Sequence, residues 1–392
     1  MIARISILII VLIVLPFLYI DFGMMRNRWR GRLMWRVAWW LPCVAMLAYT
    51  VWLATLRSFA PLETWILYIY LLILGLVFAP AVVFTICSAV GDFLLKKGLV
   101  RRNRGRGVGM ILALLVAIVV LYGSFWGNNG VQVRNVDYFS EQLPASFDGY
   151  RIALFSDAHV GSYIWGSINR LQVFVDTLNA QQADMIAFVG DLQNMHPDEL
   201  IPAMPILGRL ETKDGVLSVL GNHDYNDYLR ADSVTGRRNE LLMCDRQRQM
   251  GWRLLLDENV VIRRQSDSIF VAGMQNDGKN TTTYCANVDK AMSGVPAEAF
   301  SIMLEHDPTS WQRTILPSTT ANLTMSGHTH GGQIRIAGLS PAAIAYKEYD
   351  GMYFDNSGRA LFVTTGIGGF VPFRLGVKPE VVLITLHKGT SR

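Results

Sequence analysis

The chain has 392 residues, of which 51% are hydrophobic and 17% charged, and its formal net charge is +5. Residues 1–130 hold 13 Lys and Arg against 3 Asp and Glu, whereas residues 131–392 hold 23 against 28. This length allows two or more folding units, and the acidic excess of the second part argues against a nucleic-acid groove there. Four cysteines are too few for a disulfide framework, although Cys244 and Cys285 could pair if they face an oxidising compartment.

Four long apolar runs occupy the first third of the chain. They cover residues 2–20, 37–56, about 65 to beyond 87, and 107–127. Each is long enough to cross a bilayer, and seven of the ten tryptophans lie in this part, many near the ends of the runs as interfacial anchors do. A cleaved signal peptide could explain the first run but not four. The sequence therefore predicts a transmembrane region of four helices over residues 1–130.

The basic residues of this region predict its orientation. The first loop carries five arginines between residues 26 and 36, and the third carries six Lys and Arg between residues 96 and 106. The second loop has only Arg57. Because basic loops stay in the cytoplasm, we expect both termini, and everything after residue 130, to be extracytoplasmic.

From about residue 136 the pattern changes to short apolar runs that end in Ser, Gly or a charged residue. These runs lie at residues 150–156, 184–190, 215–221, 301–305 and 360–366. Such runs are typical of buried strands. Helical spacing of apolar residues over 166–182, between the first two runs, indicates a strand–helix–strand unit. The second part is therefore predicted to be an α/β domain.

Polar residues follow these strands, and five of the seven histidines are among them. They are Asp157 and His159 in SDAHVG, Asp191 in VGDLQN, Asn222, His223 and Asp224 in LGNHDY, His306 in LEHDP, and His328 and His330 in SGHTHGG. In an open α/β sheet the strand ends converge on one crevice. Each short motif is weak alone, since Asp often caps helices and Gly-Asp is common in turns, but their combination is specific.

The chemistry of these residues indicates a metal centre. Carboxylate, imidazole and amide oxygen are mixed ligands that suit Mn²⁺, Fe²⁺ or Zn²⁺. Seven candidate ligands are too many for one tetrahedral ion. They suit two divalent ions that share a bridging carboxylate.

The series D-x-H, G-D, G-N-H-D, H and G-H-x-H resembles that of the calcineurin-like metallophosphoesterases. The tail GHTHGGQIRI…FVTTGIGGFVPFRLGVKPEVVLITL is similar to the bacterial membrane-associated phosphodiesterase branch of that family. The resemblance covers roughly residues 148–387. It implies an α/β fold, a four-layer αββα sandwich over residues 131–392 with metals at the strand ends. This domain would follow an all-α region of four helices in the bacterial inner membrane.

The resemblance also implies a role for each polar residue. Asp157, His159 and His330 would hold one ion, Asn222, His306 and His328 the other, and Asp191 would bridge them. His223 matches the family histidine that contacts the phosphate and protonates the leaving oxygen, with Asp224 beside it as orienter. Asn194 departs from the family pattern, since many relatives have an acid there. Because that residue is not an essential ligand in the family, the departure concerns only the surroundings of the ligands.

This ligand set suits phosphoester hydrolysis. A water or hydroxide bridging two divalent ions has a lowered pKa and lies in line for attack, while the ions stabilise charge on the phosphoryl oxygens. His223 can give a proton to the leaving group. We therefore expect a membrane-anchored two-metal enzyme that hydrolyses phosphodiester or phosphomonoester bonds of a cell-envelope or lipid-linked substrate.

Two other functions fit parts of the sequence. One is a UDP-diacylglucosamine-type pyrophosphatase of lipid A synthesis, which some relatives resemble, but its substrate is cytoplasmic and the expected topology places the domain on the other side. The other is a non-catalytic binding or sensor module, which the complete ligand set disfavours. A polytopic transporter is disfavoured because the helices lack an internal ionisable pathway.

Overall fold

The computed structural model of the protein describes residues 2–163, 168–225, 227–278 and 286–390. The chain forms two compact units, Met1–Trp126 and Gly127–Arg392. The first unit is helical, as apolar runs must be in a bilayer, where only a helix satisfies its own backbone groups. Its helices are α1 (Ser6–Leu18), α2 (Leu33–Thr55), α3 (Thr64–Ile73), α4 (Ala79–Lys96) and α5 (Gly105–Phe125).

Wider helical turns lengthen two of these segments. Tyr19–Met25 continues α1, and Leu74–Phe78 joins α3 to α4. Over the part of the chain that the structure describes, four segments are long and apolar enough to cross a membrane. They are Ser6–Met25, Leu33–Thr55, Thr64–Lys96 and Gly105–Phe125. The four predicted helices are therefore confirmed as candidate membrane spans.

Small residues and paired charges shape the packing of these helices. A Cβ atom on Gly109 would lie 3.0 Å from the Cβ of Cys87 and 3.1 Å from the carbonyl oxygen of Phe84, so glycine lets α5 approach α4 closely. The buried carboxylate of Asp21 accepts a hydrogen bond from Arg36 Nε at 2.9 Å. Pairing of this kind lowers the cost of a charge in an apolar helix region.

The second unit contains two mixed sheets. The first sheet has six strands in the order β1–β12–β2–β3–β4–β5 over the described residues. These are β1 (Gln132–Ser140), β2 (Arg151–Phe155), β3 (Met185–Val189), β4 (Val216–Val219), β5 (Arg253–Leu254) and β12 (Glu380–Lys388). Strands β2 to β5 are parallel, and β12 runs antiparallel to β2, with Ile384 opposite Ile152.

The second sheet also has six strands in the described part of the chain, in the order β10–β11–β9–β8–β7–β6. These are β6 (Glu258–Arg264), β7 (Asp267–Gly273), β8 (Ser301–Leu304), β9 (Leu323–Ser326), β10 (Gly351–Phe354) and β11 (Ala360–Val363). Strands β7, β8, β9 and β11 are parallel, with antiparallel β6 and β10 at the edges.

Helices cover the outer faces of both sheets. They are α6 (Ile168–Ala180), α7 (Met204–Leu207), α8 (Ser233–Gln249), α9 (Val288–Ala291) and α10 (Leu316–Ser318). A further short helix, α11 (Ala342–Ala345), lies in the loop between β9 and β10. One apolar cluster joins α6, α7 and α8 to the first sheet, a second fills the space between the sheets, and a third packs α9 and Trp311 on the second sheet. These layers form the α/β fold with two mixed sheets that the sequence predicts.

The central strands are buried on both faces, which explains their sequence pattern. In β2, Ala153 and Phe155 belong to the cluster under the helices, whereas Ile152 and Leu154 belong to the cluster between the sheets. Successive side chains of a strand point to opposite faces, so both kinds of position must be apolar. This is why the predicted strands were visible as continuous apolar runs.

Candidate metal centre

The candidate ligands follow the carboxyl ends of parallel strands in both sheets. Asp157 and His159 follow β2, Asp191 follows β3, residues 222–224 follow β4, His306 follows β8, and residues 328–330 follow β9. Since β2, β3 and β4 are parallel to one another, and β8 and β9 are parallel to each other, the loops emerge at the same edge of their sheets. The fold thereby brings together residues that are up to 173 positions apart in sequence, as Asp157 and His330 are.

Several of these residues have a left-handed backbone. The φ angles are 54° at Asp157, 44° at His159, 62° at Asp191, 69° at His328 and 51° at His330. Such values are uncommon for residues other than glycine, and each costs on the order of 1–3 kcal/mol unless the surrounding structure imposes it. Neighbouring loops do so here, since the amide of Asp157 bonds the carbonyl of Gly190 at 2.9 Å.

One group of candidate ligands consists of Asp157, His159 and His330, whose nearest ligand atoms lie within 4.8 Å of one another. Three buried atoms of this group, Asp157 Oδ1, His159 Nε2 and His330 Nδ1, make no hydrogen bond to the described residues. Buried polar atoms are rarely left without a partner. A cation bound among them would supply that partner, so this donor set fits a divalent metal ion.

A second group surrounds His306. Its Nε2 lies 3.2 Å from Asp191 Oδ2, 3.2 Å from Asn222 Oδ1 and 3.2 Å from His328 Nδ1. Its Nδ1 donates to the carbonyl of Val189 at 2.7 Å, which leaves a lone pair on Nε2 of the neutral ring. When the Nε2–H of His328 donates to Tyr346, Nδ1 of His328 is also an acceptor, and the four acceptor atoms then repel one another unless a cation or a proton lies between them. This group also fits a divalent metal ion.

The carboxylate of Asp191 lies between the two groups. Its Oδ2 is 3.6 Å from Nε2 of His159 and 3.2 Å from Nε2 of His306, and its Oδ1 accepts a hydrogen bond from the amide of His223 at 2.8 Å. Burial opposes ionisation of Asp191, but His306 and His223 outweigh it and hold the pKa of the carboxyl well below its usual range. One ionised oxygen can therefore serve both groups.

The imidazole of His223 is held in one orientation. Its Nδ1 donates to the carbonyl oxygen of Asn194 at 2.6 Å, and its ring stacks on Tyr228 with centroids 4.1 Å apart. Phe370 lies on another side, with ring centroids 5.6 Å apart. Burial lowers the pKa of His223, and the Asp191 carboxylate opposes that shift. These contacts direct the second ring nitrogen, Nε2, away from Asn194.

The carboxylate of Asp224 binds backbone amides. Its two oxygens accept hydrogen bonds at 2.9–3.2 Å from four amides, those of Gly221, Asp191, Leu192 and Gln193. The prediction that Asp224 orients His223 stays a prediction, and the hydrogen bond that holds the ring runs from His223 Nδ1 to the Asn194 carbonyl. Asp224 fixes the loop that carries Asp191.

Sequence reasoning did not assign a positive role to Asn194, although it lies beside two histidines. Its Oδ1 accepts a hydrogen bond from His159 Nδ1 at 3.0 Å, so Nε2 of His159 keeps its lone pair for the centre. Glu199 accepts hydrogen bonds from the amides of residues 194–196, and burial raises the pKa of this carboxyl to about 7. Nδ1 of His196 accepts a hydrogen bond from the amide of Asp198 at 3.1 Å and so caps the same turn.

Two further contacts had no signal in the sequence. The hydroxyl of Tyr346 lies 2.9 Å from His328 Nε2, opposite the nitrogen that faces His306. The guanidinium of Arg374 is fully buried and donates to carbonyl oxygens of the loop after β11, including Thr365 at 2.9 Å and Gly366 at 3.1 Å. Burial lowers the pKa of Arg374 to about 10.

The possible disulfide stays a prediction. Cys244 is buried in α8 as a free thiol, and burial raises its pKa to about 11. Cys285 lies outside the described residues.

Known proteins that are similar to this chain are named for the activity that the motifs predict. The model of the family "Calcineurin-like phosphoesterase" matches residues 150–332. A "Transmembrane protein with metallophosphoesterase domain" of Danio rerio is 29% identical over 71% of this chain, but the match spans only 62% of that protein. An uncharacterized metallophosphoesterase of Bacillus subtilis is 29% identical over 63% of this chain and 82% of its own length.

The match to a third relative covers enough of this chain to extend into the helical unit. This relative is an uncharacterized metallophosphoesterase of Campylobacter jejuni, 24% identical over 88% of this chain and 87% of its own length. The resemblance that the motifs indicated is thereby confirmed. Residues 150–332, just under half of the chain, match the calcineurin-like phosphoesterase family, a family of metal-dependent phosphoric ester hydrolases.

Proposed function

We propose that this protein is a membrane-anchored phosphoesterase that hydrolyses phosphodiester or phosphomonoester bonds with two divalent metal ions. The observation that carries the proposal is the position of Asp191 Oδ2, which faces His159 on one side and His306 on the other. One carboxylate oxygen between two clusters of candidate ligand atoms is the arrangement that a two-ion centre requires.

Each ion has its own set of protein ligands in this proposal. Asp157, His159 and His330 would hold one ion, Asn222, His306 and His328 would hold the other, and Asp191 would serve both. When bound, the ions supply Lewis-acid polarisation of the phosphoryl oxygen and acidify the attacking water. The protein residues fix the geometry, since Asn194, Val189 and Tyr346 each hold one ligand histidine by its other ring nitrogen.

His223 is the proposed proton donor to the leaving oxygen. Its Nδ1–H is committed to the Asn194 carbonyl, so a proton on Nε2 is the one that can be transferred. The aromatic rings of Tyr228 and Phe370 exclude water from two sides of the imidazole. An anionic phosphoryl group beside the ring favours its protonated form.

The rest of the chain supplies the setting for this chemistry. Residues 1–130 anchor the protein in a bacterial inner membrane, and residues 131–392 form the catalytic domain, which the positive-inside rule places outside the cytoplasm. A substrate of the cell envelope or a lipid-linked phosphoester fits this location. A pyrophosphatase acting on a cytoplasmic nucleotide-linked lipid does not fit it.

The test is metal-dependent hydrolysis by the purified full chain. Stripping with a chelator should abolish hydrolysis of bis(p-nitrophenyl) phosphate or p-nitrophenyl phosphate, and Mn²⁺, Fe²⁺ or Zn²⁺ should restore it. His387→Ala is the matched control, since this histidine lies on β12 and hydrogen-bonds Asp137 rather than any candidate ligand. Full activity in metal-free protein, or none with any of the three ions, would reject the proposed function.

A further inference from the structure

Residues 336–344, which follow the His328–His330 turn, display large aliphatic side chains to solvent. Ile336 is 61% exposed, Leu339 78% and Ile344 91%. Single exposed hydrophobic residues are ordinary on protein surfaces. Three within nine residues beside a candidate active site form a concentrated apolar surface, which marks an interaction site more often than chance exposure.

This segment is held rigidly, so the exposure is not the result of a frayed loop. Ile336 and Leu339 exchange both backbone hydrogen bonds at 3.0 Å, across Ala337 at φ 51° and Gly338 at φ 83°. Positive φ at both central positions is the signature of a type I′ hairpin turn. The turn therefore presents the side chains of Ile336 and Leu339 in a fixed arrangement.

Ser340 in this segment and Tyr346 just after it are both bonded to the candidate metal centre. The hydroxyl of Ser340 donates to the carbonyl of Gly331 at 2.7 Å, within the metal-ligand turn. The hydroxyl of Tyr346 reaches His328 Nε2 at 2.9 Å. Whatever covers the apolar side chains thus lies next to the candidate ligands.

A second apolar stretch adjoins the first. The side-chain amide of Gln333 donates to the carbonyl of Val371 at 2.9 Å, and the backbone amide of Arg335 donates to the carbonyl of Leu375 at 2.7 Å. These bonds place the half-buried side chains of residues 370–373, Phe-Val-Pro-Phe, alongside the hairpin. Phe370 in turn contacts His223. A second set of apolar side chains therefore leads from the chain before the hairpin to the proposed proton donor.

We propose that residues 336–344 contact the lipid bilayer and insert Ile336, Leu339 and Ile344 at the boundary between headgroups and acyl chains. This contact would present the metal centre to the phosphoester of a lipid headgroup, so the assigned substrate class is a membrane lipid rather than a soluble ester. The inference about the substrate rests on the function proposed above. The contact itself does not.

Three observations favour a bilayer over a protein partner. The chain carries four candidate membrane spans, so its second unit is tethered to a membrane. The charges beside the aliphatic side chains are paired with one another, since Arg335 bonds Asp350 and Lys347 lies 3.8 Å from Glu348. An aliphatic surface without unpaired charge suits the boundary between headgroups and acyl chains. The hairpin also leaves no free backbone pair between Ile336 and Leu339 for a partner strand.

Depth-dependent quenching tests the contact. The full chain with Ile344→Cys is labelled with an environment-sensitive dye and reconstituted in vesicles of phosphatidylethanolamine and phosphatidylglycerol that contain brominated acyl chains. Quenching should exceed that of Val234→Cys, a 77% exposed aliphatic position on α8, after subtraction of the labelled parent chain. Equal quenching at the two positions, or burial of the dye against a second copy without quenching by bromine, overturns the proposal.

A matched pair of substrates tests the consequence for catalysis. The triple variant Ile336→Ser, Leu339→Ser, Ile344→Ser should hydrolyse bis(p-nitrophenyl) phosphate at the parent rate. Hydrolysis of vesicle-embedded phosphatidyl-p-nitrophenol should fall by about tenfold or more, since the side chains that dock the site are gone. Equal rates on the lipid substrate overturn the substrate assignment. If the parent hydrolyses neither ester, the proposed function fails, and quenching alone decides the bilayer contact.

Discussion

At the level of single residues, Asp191 connects the parts of the candidate centre. Its Oδ2 faces ligands of both proposed ions, while its Oδ1 is held by the amide of His223. Asp224 holds the loop beneath it through four backbone amides. Asp191 and His223 are neighbours with different proposed roles, one a ligand and the other an acid, and substitution can separate these roles.

Asp191→Asn should weaken both ion sites at once, because the bridging charge is lost. Metal content and hydrolysis rate should fall together.

His223→Ala should retain most of the metal and slow hydrolysis by about 10²–10⁴-fold, the range typical of general-acid catalysis. Its defect should shrink for an acidic leaving group such as nitrophenol, which needs less protonation. Metal analysis and rates on esters of graded leaving-group acidity measure both effects. Loss of metal in His223→Ala, or an equal slowing for all leaving groups, would contradict the acid role.

Asn194 offers a second test at the same scale, through its hydrogen bond with His159. Asn194→Ala should weaken metal binding by about 10–100-fold, as removal of a ligand's outer partner commonly does. Asn194→Asp should tighten it instead, because a carboxylate makes the partner imidazole a more basic ligand. Titration of the metal-stripped full chain, followed by bound metal rather than by activity, compares the two variants. If both variants weakened binding equally, the hydrogen bond would have no tuning effect on His159.

At the level of elements, the centre depends on how tightly the turns after neighbouring strands pack. Gly190 directly follows β3 and has a φ angle of 91°. A Cβ atom there would lie 2.6 Å from the amide nitrogen of Gly221 and 2.7 Å from Nδ1 of His306. No side chain fits between these two loops. The close approach lets residues from β3, β4 and β8 share one site.

Gly190→Ala should therefore destabilise the second unit and displace His306. We expect a loss of roughly 2–4 kcal/mol from backbone strain and overpacking combined, together with loss of bound metal. Gly215→Ala is the matched control, since its φ is 81° but no atom lies within 4 Å of its Cβ position. That variant should lose only about 1 kcal/mol and keep its metal. Thermal unfolding and metal content of both chains provide the comparison, and similar losses in the two would show that crowding at Gly190 is unimportant.

At the level of the whole molecule, the chain divides its charge between its two parts. Loops one and three of the helical part carry eleven basic residues, while residues 131–392 have a net acidic balance. Basic residues keep short loops in the cytoplasm, whereas long domains cross the membrane largely regardless of their charge. The proposed extracytoplasmic position of the catalytic domain therefore follows from the two basic loops.

Reporter fusions test this topology. Alkaline phosphatase fused after Gly130 should be active, and a green fluorescent protein at the same point should be dark, because the first needs the periplasm and the second the cytoplasm. Fusions after Gly31, in the first basic loop, should give the opposite result. Fluorescence of the Gly130 fusion would reverse the orientation and would make a cytoplasmic phosphoester the better substrate candidate.

The sequence by itself determined the four apolar spans, the central strands and the order of the candidate ligands. Spans and buried strands are local patterns, since every residue in them must be apolar to be buried on all sides. The metal motifs are also local, being short runs at strand ends. The roles of their residues remain predictions, whereas the α/β fold and the family match over residues 150–332 are established.

Only the tertiary structure decided which residues support those ligands. The carbonyl of Asn194 holds His223 across 29 positions of chain, and Tyr346 holds His328 across 18. Strands β1 and β12 pair although their first residues, Gln132 and Glu380, lie 248 positions apart. Such contacts depend on which loops converge in the folded chain. The residue type of an Asn, Tyr or Leu and its neighbours in sequence do not indicate which distant residues it will contact. The exposed aliphatic hairpin at residues 336–339 was invisible for the same reason, because an apolar residue in a sequence does not reveal whether folding will cover it.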